Sequence, residues 1–185
     1  TLSAPSLKAA SASYSSVKLT WSKVTGAQGY KIYRYSSSTK KYGLIKTITR
    51  SDTVSYTNTG RTTGTTYYYK VSAIRGSAEG ALSGKAYATP KLSTPTSFKV
   101  KAGKKSAAVS WKKVSGANGY VVYRSTKSKS GFKAVKTITK SSTVKYTNKS
   151  LKKGKTYYYK VRAYRTVNKK KVYSSYTKVL KAKAK

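Results

Sequence analysis

The chain has 185 residues and carries 41 Lys and Arg against 2 acidic side chains, a formal net charge of +39. It has no His, Cys or Met, and Asp52 and Glu79 are its only side-chain carboxylates, so metal clusters and catalytic acid/base pairs lack their raw material and no cofactor is expected. With 37% apolar residues and 19 Tyr, the composition is that of a folded protein rather than a disordered polycation, and the length suits two compact cores of roughly 90 residues.

An internal repeat with a period of 90 residues organises the chain. Trp21 recurs as Trp111, Gly29-Tyr30 as Gly119-Tyr120, and Tyr33-Arg34 as Tyr123-Arg124. Tyr56-Thr57-Asn58 recurs as Tyr146-Thr147-Asn148, and Tyr67-Tyr68-Tyr69-Lys70-Val71 as Tyr157-Tyr158-Tyr159-Lys160-Val161. Two copies of one domain are therefore expected, over residues 1–90 and 91–185. The boundary falls at Thr89-Pro90-Lys91-Leu92-Ser93-Thr94-Pro95, where two prolines interrupt strand pairing and favour a short, stiff connection.

In chain order, the first copy shows Val, Ile, Thr and Tyr-rich strand candidates near residues 6–10, 16–22, 29–34, 43–49, 53–57, 65–75 and 82–89. The second copy shows them near 97–102, 106–112, 119–124, 133–139, 143–147, 155–165 and 173–183. Nowhere does a helical period persist, and this spacing predicts an all-β protein of two consecutive seven-stranded sandwiches. No apolar run is long enough for a membrane helix, and any targeting signal is expected outside these residues.

Alternation along a strand assigns faces. Tyr157, Tyr159, Val161 and Ala163 share one face of the sixth strand; Tyr158, Lys160, Arg162 and Tyr164 share the other. The first set is the core face, because a Lys and an Arg in succession cannot be buried where no carboxylate meets them. The same pattern turns Trp21, Tyr30 and Tyr67 inward in the first copy, and Trp111, Tyr120 and Tyr157 in the second. Tyr123, Tyr158, Lys160, Arg162 and Tyr164 then make an exposed aromatic and basic face, matched by Tyr33, Tyr68 and Lys70 in the first copy. Such a face can stack rings while its cations meet anions, although cross-strand Tyr pairs also stabilise sheets without a ligand.

The order of a Trp on the second strand, Gly-Tyr opening the third, a Tyr-Thr-Asn segment and a Gly-x-Thr-Tyr-x-Tyr-x-Val-x-Ala sixth strand resembles tandem fibronectin type III domains. The Val-x-Gly-Ala-x-Gly-Tyr-x-x-Tyr-Arg stretch is similar to those of Gram-positive bacterial surface and secreted proteins. The resemblance implies an immunoglobulin-like sandwich with three strands on one sheet and four on the other, in an extracellular, secreted or cell-wall-associated protein. Leu151, six residues before Tyr157, matches the family's tyrosine corner, whereas Arg61 replaces that Leu in the first copy. An Arg-Gly-Asp tripeptide is absent.

Charge is unevenly shared. Residues 1–90 hold 13 basic and 2 acidic side chains, whereas residues 91–185 hold 28 basic and none acidic. The densest sets are Lys101, Lys104 and Lys105; Lys112 and Lys113; Lys127, Lys129 and Lys133; Lys149, Lys152, Lys153 and Lys155; and Lys169, Lys170 and Lys171. The last two sets are expected in the loops before and after the sixth strand, as the candidate contacts for an anionic polymer. Lys outnumbers Arg 34 to 7. A surface of flexible point charges suits diffuse contact with teichoic-type wall phosphate, sulfated glycan or nucleic acid backbone rather than sequence-specific DNA readout.

The expected function is a non-catalytic spacer and adhesion module, a monomeric fragment of a larger chain. A host-protein receptor working through loops near 75–82 or 165–172, or an accessory pair in a cell-wall hydrolase or glycanase, are the other readings. No Ser-x-x-Lys stands in the strand-to-helix setting that nucleophilic catalysis uses, and calcium sites need carboxylates the chain lacks.

Overall fold

A computed structural model describes all residues, Thr1–Lys185, which divide into two compact units, Thr1–Lys91 and Leu92–Lys185. In the first unit the strands are β1 (Leu7–Ser13), β2 (Ser16–Trp21), β3 (Gly29–Ser36), β4 (Lys41–Ile48), β5 (Ser55–Asn58), β6 (Tyr67–Arg75), β7 (Ala78–Glu79) and β8 (Ala86–Ala88). One sheet runs β1-β2-β5; the other runs β4-β3-β6-β7, with β8 also paired to β6. The second unit has β9 (Lys99–Gly103), β10 (Ser106–Ser110), β11 (Gly119–Ser125), β12 (Lys133–Ile138), β13 (Lys145–Asn148), β14 (Thr156–Val167), β15 (Lys170–Tyr173) and β16 (Leu180–Lys183). Its sheets are β9-β10-β13 and β12-β11-β14-β15, with β16 paired to β14. Every pairing within the sheets is antiparallel.

The inward faces are those that alternation predicts. Val17, Leu19 and Trp21 from β2 meet Tyr30 and Ile32 from β3 and Tyr69, Val71 and Ala73 from β6, all buried in one cluster. Trp21 packs edge-on against Tyr30 with ring centroids 5.4 Å apart, and Trp111 against Tyr120 at 5.2 Å. Each of these tyrosines is fixed at its hydroxyl: Val24 N–H donates to Tyr30 Oη and Val114 N–H to Tyr120 Oη. The repeated Asn has a matching role. Asn58 Oδ1 accepts hydrogen bonds from Tyr69 and Arg34, as Asn148 Oδ1 does from Tyr159 and Arg124. Burial pushes both phenols, Tyr69 and Tyr159, up to about 12.

Two expectations are corrected. The seventh strand is broken: of the expected 82–89 and 173–183 only Ala86–Ala88 and Leu180–Lys183 pair with the sixth strand beyond the break, while Ala78–Glu79 and Lys170–Tyr173 pair with it earlier in the chain, so the larger sheet has five strands instead of four. At the break, side-chain hydroxyls replace ladder carbonyls. Ser83 Oγ accepts from Val71 N–H, Thr177 Oγ1 from Val161 N–H and Ser174 Oγ from Ala163 N–H. The second correction concerns Tyr67, which is only half-buried, packed at the rim of the core.

The tyrosine corner forms in both units despite the Leu151 to Arg61 difference. Tyr157 Oη accepts from Lys152 N–H and Tyr67 Oη from Thr62 N–H. Leu151 is buried, and Arg61 instead lays its guanidinium over the Tyr67 ring at 5.2 Å. A cation on a ring face recovers part of the attraction that Leu supplies by burial.

Candidate functional site

The lysines of the second unit are sorted by the strands that carry them. Lys149, Lys152, Lys153 and Lys155 lie in the loop between β13 and β14, all exposed. Backbone bonds draw two other segments to this loop. Leu151 N–H donates to Lys105 O, Gly154 N–H to Ala184 O, Lys105 N–H to Lys185 O and Lys185 N–H to Gly103 O. The β9–β10 turn, with Lys104 and Lys105, the long loop and the chain's last residues therefore share one end of the unit. Lys105, Ser150, Leu151, Lys152 and Lys153 line an open depression of about 560 Å³ there.

Lys169, Lys170 and Lys171 do not join that group. They sit at the far end of β14, whose 12 residues span about 40 Å at the usual strand rise. Nor are they a loop: Lys170 and Lys171 belong to β15, and only Asn168 and Lys169 form the turn. Both turn residues have positive φ, 47° and 63°, the conformation that a tight two-residue hairpin requires. The two lysine sets are therefore two separate basic ends.

Between them lies the aromatic and basic sheet face. Tyr123, Tyr158, Lys160 and Arg162 are half-exposed on it. Arg162 is held within the face, donating from Nε and Nη2 to Tyr123 Oη at 3.1 and 2.7 Å. Its guanidinium lies 3.6 Å from the centroid of Tyr173 and 4.7 Å from that of Tyr176. Lys160 Nζ stands 3.8 Å from Tyr176 and 4.5 Å from Phe132. Tyr173, Tyr176 and Phe132 thus complete a group of which the sixth-strand pattern shows only half. They come from segments whose facing register is not set by alternation within β14.

Tyr164 is the exception to the face assignment. It is 4% exposed, although alternation places it beside Lys160 and Arg162. Its register partner is Gly119, and a Cβ there would lie 2.8 Å from Tyr164 Oη and 1.9 Å from Ile138 O. The missing side chain leaves a slot that the Tyr164 ring fills, with Lys171 Nζ 4.6 Å from its centroid. Tyr164 is a packing residue of the sheet surface, covered rather than offered.

Trp21, Tyr30, Trp111, Tyr120 and Tyr157 are all buried. No group of three or more potential metal ligands occurs, and no helix is long and apolar enough to cross a membrane.

No protein-family model and no curated protein sequence matches the chain. Among solved structures, a two-domain fibronectin type III segment of chicken tenascin superposes with a TM-score of 0.59 at 18% identity, covering 96% of this chain and 99% of that one. The fold is that of two consecutive fibronectin type III domains. The FN1–FN3 domains of chicken CNTN1 are also similar, at a TM-score of 0.46 and 18% identity over 99% of this chain and 69% of theirs. In fibronectin type III terms, the lysine-walled depression lies where the turn between the first two strands meets the loop before the sixth.

Proposed function

We propose that the chain is a non-catalytic spacer and adhesion module of a larger extracellular protein, of the Gram-positive surface or secreted kind its motifs resemble. The second unit takes anionic polymer at its lysine-walled end. The observation that supports this is local: three chain segments converge there with Lys104, Lys105, Lys149, Lys152, Lys153 and Lys155, in a unit without one side-chain carboxylate. Both ion pairs of the chain, Lys31–Glu79 and Arg50–Asp52, are in the first unit. The basic end therefore has no side-chain counter-charge, and its field draws polyanions at a rate that falls with salt. Lysine point charges fit the repeated phosphodiesters or sulfate esters of a flexible polymer.

The test is retention of the full chain on purified wall teichoic-type polymer and on heparin along a salt gradient. Replacing Lys149, Lys152, Lys153 and Lys155 by Gln is expected to weaken binding by about tenfold or more near 0.15 M salt and to flatten the salt slope. Replacing Lys169, Lys170 and Lys171, at the other end, has the smaller effect. Equal retention of the first variant and the parent chain sinks the proposal. Binding to a host protein that survives about 0.5 M salt would favour the receptor reading instead.

A further inference from the structure

The larger sheet of the first unit carries one tyrosine from each of four adjacent strands in a row. They are Tyr42 on β4, Tyr35 on β3, Tyr68 on β6 and Tyr87 on β8. Tyr35 is directly opposite Tyr42 and Tyr68 opposite Tyr87, while the pairing of Arg34 with Tyr69 sets Tyr35 beside Tyr68. Successive ring centroids are 5.4, 6.5 and 5.7 Å apart. Tyr35, Tyr42 and Tyr68 with Lys85 line an open depression of about 320 Å³, and Tyr87, at the end of the row, is 62% exposed.

Two ammonium groups are braced along this row. Lys70 Nζ stands 5.1 Å from the Tyr42 centroid and Lys85 Nζ 5.3 Å from that of Tyr68. Neither is neutralised, because the two carboxylates of the unit are engaged elsewhere, Asp52 by Arg50 and Glu79 by Lys31. The fold does not require this arrangement. In the second unit the matching positions are Phe132, Ser125, Tyr158 and Lys181. There Ser125 is buried and turns its hydroxyl to Ser130 O, so the row is interrupted on an equivalent sheet. Sheet stability alone accounts for a pair of cross-strand tyrosines, but not for a continuous row confined to one copy and flanked by unpaired cations.

We propose that this row is a binding site for an extended anionic polysaccharide, a strand of hexose units bearing carboxylate or sulfate groups. Tyrosines at this spacing present about one ring per sugar along such a strand, with phenol hydroxyls for the sugar hydroxyls and the exposed Tyr87 ring for a C–H face. Lys70 and Lys85 meet the acid groups. A single-stranded nucleic acid fits less well, because successive bases need open ring faces. Here the rings of Tyr35 and Tyr42 are inclined at 63° and those of Tyr35 and Tyr68 at 85°, and lysines cover a face of Tyr42 and of Tyr68.

The site is independent of the basic end of the second unit, and the experiment separates them. The full chain carrying Gln at Lys149, Lys152, Lys153 and Lys155 is titrated with a galacturonic acid hexasaccharide, a heparin hexasaccharide, a neutral galactose hexasaccharide and oligo(dT). The two acidic sugars are expected to bind more tightly than the neutral one and than oligo(dT). Tyr68→Ser is expected to weaken the better acidic sugar by about tenfold, and Tyr87→Ser and Lys85→Gln by about threefold each. The last two alter exposed side chains and cost the sheet at most one surface contact each, so with affinity measured well below the unfolding transition their effect reads binding. Unchanged affinity in both of these variants overturns the proposal, as does preferred binding of oligo(dT) that the same variants abolish. Failure of the basic-end reading appears elsewhere, as equal polyanion retention by the parent chain and the fourfold Gln variant.

Discussion

At the same place on the same sheet, the two units stabilise their surfaces with opposite charge logic. In the first, Glu79 accepts from Lys31 Nζ at 2.8 Å and from the hydroxyls of Tyr33 and Ser72. In the second, Val121, Tyr123 and Arg162 replace Lys31, Tyr33 and Ser72, and Tyr173 faces Tyr164 on the hairpin where Glu79 faces Ile74. An acid gathering donors becomes a guanidinium gathering phenol rings. Each sheet surface thus holds a well-satisfied polar centre, and only one of the two is built on a carboxylate. A unit with no acidic side chain can therefore keep the fold, and its lysines are left without side-chain carboxylate partners.

Three measurements test how deep the likeness of the two units goes. The largest effect is expected in the shared core: Trp21→Ala and Trp111→Ala should each destabilise their own unit by about 3–5 kcal/mol. The two values should agree closely, read as separate unfolding transitions. A loss confined to one tryptophan breaks the equivalence of the cores. Next are Asn58→Ala and Asn148→Ala, each leaving a buried phenol hydroxyl without its acceptor, at a cost of about 1–3 kcal/mol by denaturant titration. Similar costs are expected, because the partners are the same Tyr and Arg in both units.

The smallest effect is where the units should differ. Burial alone would raise the Glu79 carboxyl, but hydrogen bonds from Lys31, Ser72 and Tyr33, with the charge of Lys31, outweigh it and hold the group at about 2, below its ordinary 4.5. A depressed carboxylate contributes stability that is complete above 4.5 and is lost as pH falls through about 2. The first unit is therefore expected to lose roughly 5 °C in unfolding temperature across that window, and Glu79→Gln to remove most of this dependence. The second unit has no side-chain carboxylate to titrate there. A matching acid transition in both units would show that general charge repulsion, not Glu79, governs it.

Much of the core was readable because two-residue alternation and the charge of Lys160 and Arg162 admit one inward face. Tyr164 escaped that logic for a reason outside its own strand. Only the register with Gly119 reveals the empty slot that receives its ring, and register is a long-range property. The break in the seventh strand was hidden because Ser and Thr suit strands as well as the hydroxyl-to-backbone bonds that interrupt them. The sequence placed two lysine sets before and after the sixth strand, but not the turn and terminal segments that the fold gathers around the first of them. The tyrosine row was invisible for the complementary reason: its members are spread from residue 35 to residue 87 and meet only through the sheet order.

The broken last strand also protects the molecule from its own kind. An exposed sheet edge is a template on which another chain can add a strand, and the usual safeguards are short edges and lysine side chains. Here β16 is only four residues long and carries Lys181 and Lys183, while the hydroxyls of Ser174 and Thr177 occupy amides that a continuous neighbouring strand would have paired. A protein that carries two copies of one fold in tandem risks exchange and edge-to-edge association between copies. The interruption gives each copy an edge that is difficult to extend, so repetition need not lead to aggregation.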